Sequence, residues 1–365
     1  MANPKEPDKD RKIVVGITHG DFNGISYEVI IKTLMEPRIL ELCTPVVYGS
    51  SKIASYHRKA LNITDFNFNL VKKAELAGAK RQNIVNVTEQ EVKIDIGEST
   101  EIAGKLALVA LDMATSDLKN KYIDVLVTAP INKKNIQSGS FTFNGHTEYL
   151  AGRFNASNYL MMMVARDLRL GFVSGHVPVK NISETITEDL ITRKLIVMNN
   201  SLIRDFGIQR PKIALLGLNP HSGDDGLIGN EEKTVIIPAM KKAQSENILC
   251  FGPYPPDGFF GSLKYRQFDG VLAMYHDQGM IAFKIIAFDD GVNYTAGLPI
   301  VRTSPAHGTA YDIAGKNMAS PESFRNAIFL ACDIFHHRQS FDTLSANPLK
   351  FSAQKRSDDE TGKDN

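Results

Sequence analysis

Cysteine is scarce in this chain of 365 residues. Cys43, Cys250 and Cys332 form no CxxC pair and no even framework, which excludes a disulfide scaffold and a thiolate zinc cluster. An excess of charge is missing too. The 42 basic and 41 acidic residues leave a formal net charge of +1, so nothing global draws the chain to nucleic acid or to a membrane. Any anion site must be local. No apolar run reaches the ~20 residues of a membrane span. Met1–Lys12 carries charges and two prolines in place of the apolar core of a signal peptide. A cytoplasmic protein is expected, with disordered tails at residues 1–11 and 355–365. There is no internal repeat, no linker rich in Pro, Gly or Ser, and no GxGxxG or P-loop spacing.

What is present suits a folded chain of about two domains, with 43% apolar and 23% charged residues. Apolar runs at Lys12–Thr18, Thr44–Gly49, Ile123–Thr128 and Lys212–Leu218 read as buried strands. They alternate with helical periodicity over Ser26–Leu34, Ser50–Leu61, Glu101–Asn120, Thr187–Phe206 and Glu231–Ala243. Met161–Ala165 and Leu170–Ser174 look like paired strands. The expected class is α/β with mostly parallel sheets covered on both faces. The first turn, His19-Gly20-Asp21-Phe22-Asn23-Gly24, reads as a tight βα turn needing positive φ rather than a phosphate cradle.

The densest chemistry lies at Met274-Tyr275-His276-Asp277-Gln278-Gly279, where an apolar run delivers polar side chains at its carboxyl end. In open α/β sheets that end faces the ligand. His176 and His221 also follow apolar runs. Any one such histidine is ordinarily structural, but three at strand ends point to a divalent ion with a position left open. Lys284, Asn293 and Arg302 fit a phosphate or carboxylate clamp. His146 and Thr147, at a helix start, could both face a ligand. Asp277 could orient an imidazole, contact the metal or act as a base; Asp21 and Asp257 could be ligands or turn-formers.

At these residues the sequence resembles the 4-hydroxythreonine-4-phosphate dehydrogenase family of pyridoxal phosphate biosynthesis. The matching blocks are Gly16–Gly24, Thr128–Asn132, Gly145–Glu148, Gly217–Gly223, Ala273–Gly279 and Phe288–Ser323. The resemblance implies a two-domain fold similar to isocitrate and isopropylmalate dehydrogenases. Residues 12–128 plus about 300–350 would form the cofactor side, and 129–299 the metal, substrate and dimerisation side. It implies His176, His221 and His276 as metal ligands (zinc, cobalt or magnesium), and His146, Thr147, Lys284, Asn293 and Arg302 as substrate contacts. It implies Asp277 and Lys284 in catalysis, and NAD or NADP on the loop His307-Gly308-Thr309-Ala310 with Asp312. The implied partner is a second copy of the chain, with the site at a homodimer interface.

The implied reaction oxidises a small phosphorylated hydroxy amino acid, 4-phosphohydroxy-L-threonine, to 2-amino-3-oxo-4-phosphooxybutanoate. Decarboxylation then gives 3-amino-2-oxopropyl phosphate. Dehydrogenases of threonate or erythronate phosphate would keep the same histidines. A catalytically silent binding protein on this fold would have eroded ligands, which are intact here, and a metal-dependent hydrolase would leave Asp312–Lys316 unexplained. The first turn departs from the family pattern at His19, Phe22, Ser26 and Tyr27, and His19 is expected at the surface or behind the site.

Overall fold

The computed structural model describes residues 11–137, 141, 143 and 145–347; the expected disordered tails, Arg11 apart, and Asn144 lie outside them. Twelve strands, numbered in chain order, make one sheet. Across it run β3 (Asn69–Val71), β4 (Asn83–Asn86), β2 (Cys43–Gly49), β1 (Ile13–Thr18), β5 (Val125–Thr128) and β12 (Arg302–Pro305). There follow β11 (Val292–Ala296), β6 (Leu160–Ala165), β7 (Leu168–Ser174), β10 (Gly270–Tyr275), β8 (Lys212–Leu216) and β9 (Leu249–Tyr254). Neighbours are parallel from β3 to β12 and again from β7 to β9. Between them β11 and β6 run antiparallel to their neighbours and to each other. Two parallel wings pointing in opposite directions therefore meet at an antiparallel seam. The expected α/β class with a mostly parallel sheet is what forms.

The central strands are apolar and almost wholly buried, as strands flanked by parallel neighbours and covered on both faces must be. Helix Glu101–Lys119 starts where Thr100 Oγ1 accepts from Ala103 N at 3.4 Å. It buries a stripe of Ala103, Ala107, Ala110, Leu111 and Ala114. Small residues let it press against the segment after β5. A Cβ on Gly104 would stand 2.1 Å from the Asn135 carbonyl oxygen. That contact sets the path of Asn132–Ile136, which carries Lys133.

The first turn is the tight βα turn. Gly20 has φ +63°, and a Cβ there would stand 2.3 Å from Pro130 O. Asp21 is a buried turn-former, its carboxylate accepting from Asn23 N (3.0 Å), Asn135 Nδ2 (2.7 Å) and Tyr311 Oη (2.7 Å). His19 is not at the surface. It is fully buried, stacked on Phe22 at 6.1 Å and against Tyr27 at 5.5 Å, with Nε2 donating to Leu106 O. His57 also stacks on Tyr27, at 5.2 Å. Three of the departures from the family's turn thus form one aromatic cluster with His57. Burial pushes both imidazoles down to about 4.

The C-terminal helix Glu322–Ser345 packs on β12, β5 and β11 through Phe324, Ala327, Ile328 and Ala331. Near its end Arg338 Nε donates to Asp205 Oδ1 at 2.7 Å, inside the protein. Asp205 Oδ2 also accepts from Ser201 Oγ and Tyr294 Oη, each at 2.6 Å. This network ties the last helix, helix Glu188–Arg204 and β11 into one body.

Candidate active site

A cavity of about 390 Å³ opens over the seam of the sheet, lined from β5, β12, β11 and the end of β7. Arg302 forms its floor and is 3% exposed. Its Nε and Nη2 donate to Thr128 Oγ1 at 3.1 and 2.7 Å, and Nη1 donates to Thr295 Oγ1 at 3.4 Å. Among the described residues no carboxylate comes within ion-pair distance of this guanidinium. Burial lowers its pKa to about 10, so it stays charged at neutral pH. A buried, charged guanidinium bonded only to hydroxyls is a receptor for an anionic ligand.

The helix His146–Arg153 begins at the cavity wall. Burial of the His146 ring, with the charges of Arg302 and Lys133, drives its pKa well below the usual imidazole value, so it is neutral. Thr147 Oγ1 lies 3.3 Å from Thr295 Oγ1. Asn293 faces the same space, and its Oδ1 is buried without a hydrogen-bond partner among the described residues. His146, Thr147, Asn293 and Arg302 are therefore gathered in one place. Lys284 stands outside the lining. Its ammonium donates to Ala306 O at 2.6 Å, one residue before His307. The cavity adds Lys133, Glu148 and Lys194, to which the sequence reading gave no role. Lys133 follows β5 within five residues, and that position at a strand end was the available clue.

The three histidines follow β7, β8 and β10, which are parallel neighbours, so topology delivers them to one edge as expected. His176 and His276 meet with ring centroids 5.6 Å apart. His276 Nδ1 donates to Asp277 at 2.6 Å and Phe172 stacks on its ring, which fixes the ring and leaves Nε2 available to a ligand. Burial and the nearby Lys133 charge lower the pKa of His176, whose Nε2 accepts from Lys133 at 3.4 Å. Paired imidazoles are a donor set that suits a divalent cation. His221 goes elsewhere. Residues 221–225 all have positive φ, and this turn carries it into a neighbouring cavity with Asp257, Tyr275 and Asp277. Among the described residues no group of three or more His, Cys, Asp or Glu side chains stands close enough to hold a metal within one chain.

Glu232 holds that turn, its Oε1 accepting from Leu218 N at 2.8 Å and Asn219 N at 2.7 Å. Across the main cavity His307 Nδ1 donates to Gly308 O at 3.0 Å, leaving Nε2 buried and without a partner among the described residues. A Cβ on Gly308 would meet nothing within 4 Å, so its backbone is open to a close-lying ligand. Thr309 O accepts from Ile25 N at 3.0 Å, Ala310 is left-handed at φ 43°, and Asp312 is exposed. The loop is braced from behind and open in front.

A buried guanidinium and an open loop line one cavity at the seam of an α/β sheet, and comparison with known proteins gives the class, a dehydrogenase. A Bacteroides thetaiotaomicron 4-hydroxythreonine-4-phosphate dehydrogenase is 53% identical over 352 residues, covering 96% of each chain. The crystal structure of the Klebsiella pneumoniae enzyme of that name superposes with a TM-score of 0.76 at 32% identity, covering 89% of this chain and 100% of that one. An Oceanobacillus iheyensis protein assigned as a D-threonate 4-phosphate dehydrogenase is 36% identical, covering 89% of this chain and 98% of its own. The family model of the pyridoxal phosphate biosynthetic protein PdxA matches residues 41–331. The chain belongs to the PdxA family and is an oxidoreductase.

Proposed function

We propose that this chain oxidises 4-phosphohydroxy-L-threonine with NAD or NADP and a divalent metal ion (zinc, cobalt or magnesium). The product, 2-amino-3-oxo-4-phosphooxybutanoate, decarboxylates to 3-amino-2-oxopropyl phosphate in pyridoxal phosphate biosynthesis. The observation that carries this reading is Arg302, a buried cation with no carboxylate partner among the described residues. Arg302 and Lys133 bind the substrate's anionic ends, and Asn293, His146 and Thr147 orient its hydroxyls and chain. Asp277 holds the His276 ring, and Lys284 holds the backbone at Ala306 beside the cofactor loop. His176 and His276 would hold the metal ion, which when bound would supply Lewis-acid chemistry at the substrate hydroxyl. The loop His307–Ala310 with Asp312 would hold the nicotinamide cofactor, which when bound would supply the hydride acceptor.

His221 completes the metal site of a second copy in a cytoplasmic homodimer. Ile281 (63% exposed), Ile285 (81%) and Phe288 (70%) follow His276 and give that docking an apolar surface. The two lobes are residues 12–128 with about 300–350, and 129–299. No described helix is long and apolar enough to cross a membrane.

The test is NADH or NADPH formation from 4-phosphohydroxy-L-threonine, D-threonate 4-phosphate and D-erythronate 4-phosphate, after chelation and again with metal restored. Metal-dependent turnover preferring the amino acid is expected. A preference for a phosphate without the amino group would move the substrate, and no turnover on any of them would overturn the reading.

A further inference from the structure

The charges around the cavity are unbalanced. Lys133, Lys194 and Arg302 bring three cations to its lining, and Glu148 is the sole carboxylate there among the described residues. Glu148 is the third residue of the helix His146–Arg153, beside the cavity mouth at Gly145. A Cβ on Gly145 would lie 3.6 Å from Glu148 Oε2 and 3.8 Å from Lys133 Cε, so the acid and the lysine flank the same glycine. Among the described residues the Glu148 carboxylate makes no hydrogen bond and no ion pair.

A half-buried carboxylate with no hydrogen-bond partner among the described residues is the one anionic acceptor that this cavity offers to a cationic ligand group. We propose that Glu148 receives the substrate's ammonium and thereby sets the preference for an amino acid phosphate over the corresponding 2-hydroxy acid phosphate. This rests on the function proposed above. The cations take the phosphate and carboxylate; Glu148 takes the one positive group that the two candidate substrate classes do not share. A hydroxyl at that carbon can donate to Glu148, but without charge assistance, and the cost of enclosing the acid is then unmet. A site built around a polar group discriminates strongly against the analogue that lacks it.

The test compares kcat/KM for 4-phosphohydroxy-L-threonine and D-threonate 4-phosphate in wild type, Glu148→Gln and Glu148→Asp. Glu148→Gln is expected to lower the ratio of the two values on the order of 10- to 100-fold, because a charge-assisted bond is lost for one substrate only. Glu148→Asp keeps the charge and retracts it by one methylene, so its ratio should fall less. If both substrates lose activity in parallel, Glu148 only balances the charge of its neighbours and the proposal is overturned. Should the Gln variant fail to fold by circular dichroism, an Asp variant with an unchanged ratio overturns it equally. Wild-type protein inactive on both substrates would refute the proposed function itself. A wild-type preference that residue 148 does not govern would refute the role of Glu148 alone.

Discussion

Arg302 and Thr128 are joined twice between the parallel neighbours β12 and β5, with Nε and Nη2 of the guanidinium both donating to one hydroxyl oxygen at 3.1 and 2.7 Å. That hydroxyl positions the cation without neutralising it. Arg302→Met should therefore leave the thermal stability of the ligand-free protein unchanged or raised, because an uncompensated buried charge is removed. Wild-type protein should gain several degrees in Tm on saturation with inorganic phosphate or substrate, and the variant none. Differential scanning fluorimetry with and without ligand measures both halves; a variant that is still stabilised by ligand would contradict the role.

The close approach of Gly104 to the Asn135 carbonyl gives a second expectation. Gly104→Ala must push the Asn132–Ile136 segment outward, since the new methyl would start 2.1 Å from that oxygen. A destabilisation of about 1–3 kcal/mol is expected from overpacking. Because the segment carries Lys133, KM should rise more than kcat falls. Urea denaturation and steady-state kinetics on the same preparation separate the two effects.

His19 and His57 have folded pKa values lowered to about 4 from an ordinary 6.5. The unfolded chain therefore binds more protons than the folded one between those values. The stability that these groups confer is complete above pH 6.5 and is lost as the pH falls towards about 4. His57→Phe keeps the stack on Tyr27 and removes one titrating group. The slope of unfolding free energy against pH in this window should shrink by about 1.4 kcal/mol per unit. Urea titrations at pH 7, 6 and 5 decide it, and an unchanged slope would show that His57 does not titrate as described.

The Asp205 network should be sensitive out of proportion to its size. Arg338→Met leaves a buried carboxylate without its cation and should cost about 3–5 kcal/mol. Tyr294→Phe removes a bond from Asp205 and one from Arg338 Nη2 (3.1 Å) and should cost about 1–3 kcal/mol. The double variant should fall short of the sum, because the groups share partners.

If His221 completes the site of a second copy, two inactive variants should rescue each other. Mixing His221→Ala with Arg302→Met under conditions of subunit exchange puts one intact site in each mixed dimer. About a quarter of wild-type activity should return, from half the dimers carrying one site of two. A site contained in one chain would give no rescue.

The long apolar runs made most of the sheet legible in the sequence, since strands such as Ile13–Thr18 and Gly270–Tyr275 are buried on both faces. The short strand Asn69–Val71 was not legible, because at the sheet edge it is half exposed and has no continuous apolar run to show. The second strand Leu249–Tyr254, at the other edge, escaped for the same reason. The anion receptor could be read from Arg302 following an apolar run, and three strand-end histidines could be read as such. Their separation could not. Whether His221 turns towards His276 depends on positive φ values over residues 221–225, four of them not glycine, and on Glu232 holding the turn. Periodicity carries no trace of either. Of the two places expected for His19 the surface was excluded only by the structure, because the partners that bury it, Tyr27 and Leu106, lie further along the chain.

The place of β12 in the sheet has a consequence for how the molecule comes into being. It lies between β5 and β11, at the centre of the twelve strands, yet it is the last of them to leave the ribosome. Its parallel partner β5 is finished more than 170 residues earlier and must wait with one edge unpaired. Each wing can begin to fold during synthesis, but the floor of the cavity arrives only with Arg302, and the body closes only when the final helix docks. A nascent chain stopped before Arg302 leaves β5 and β11 each with a bare edge, so truncation that removes β12 together with the final helix should yield aggregates rather than a smaller enzyme.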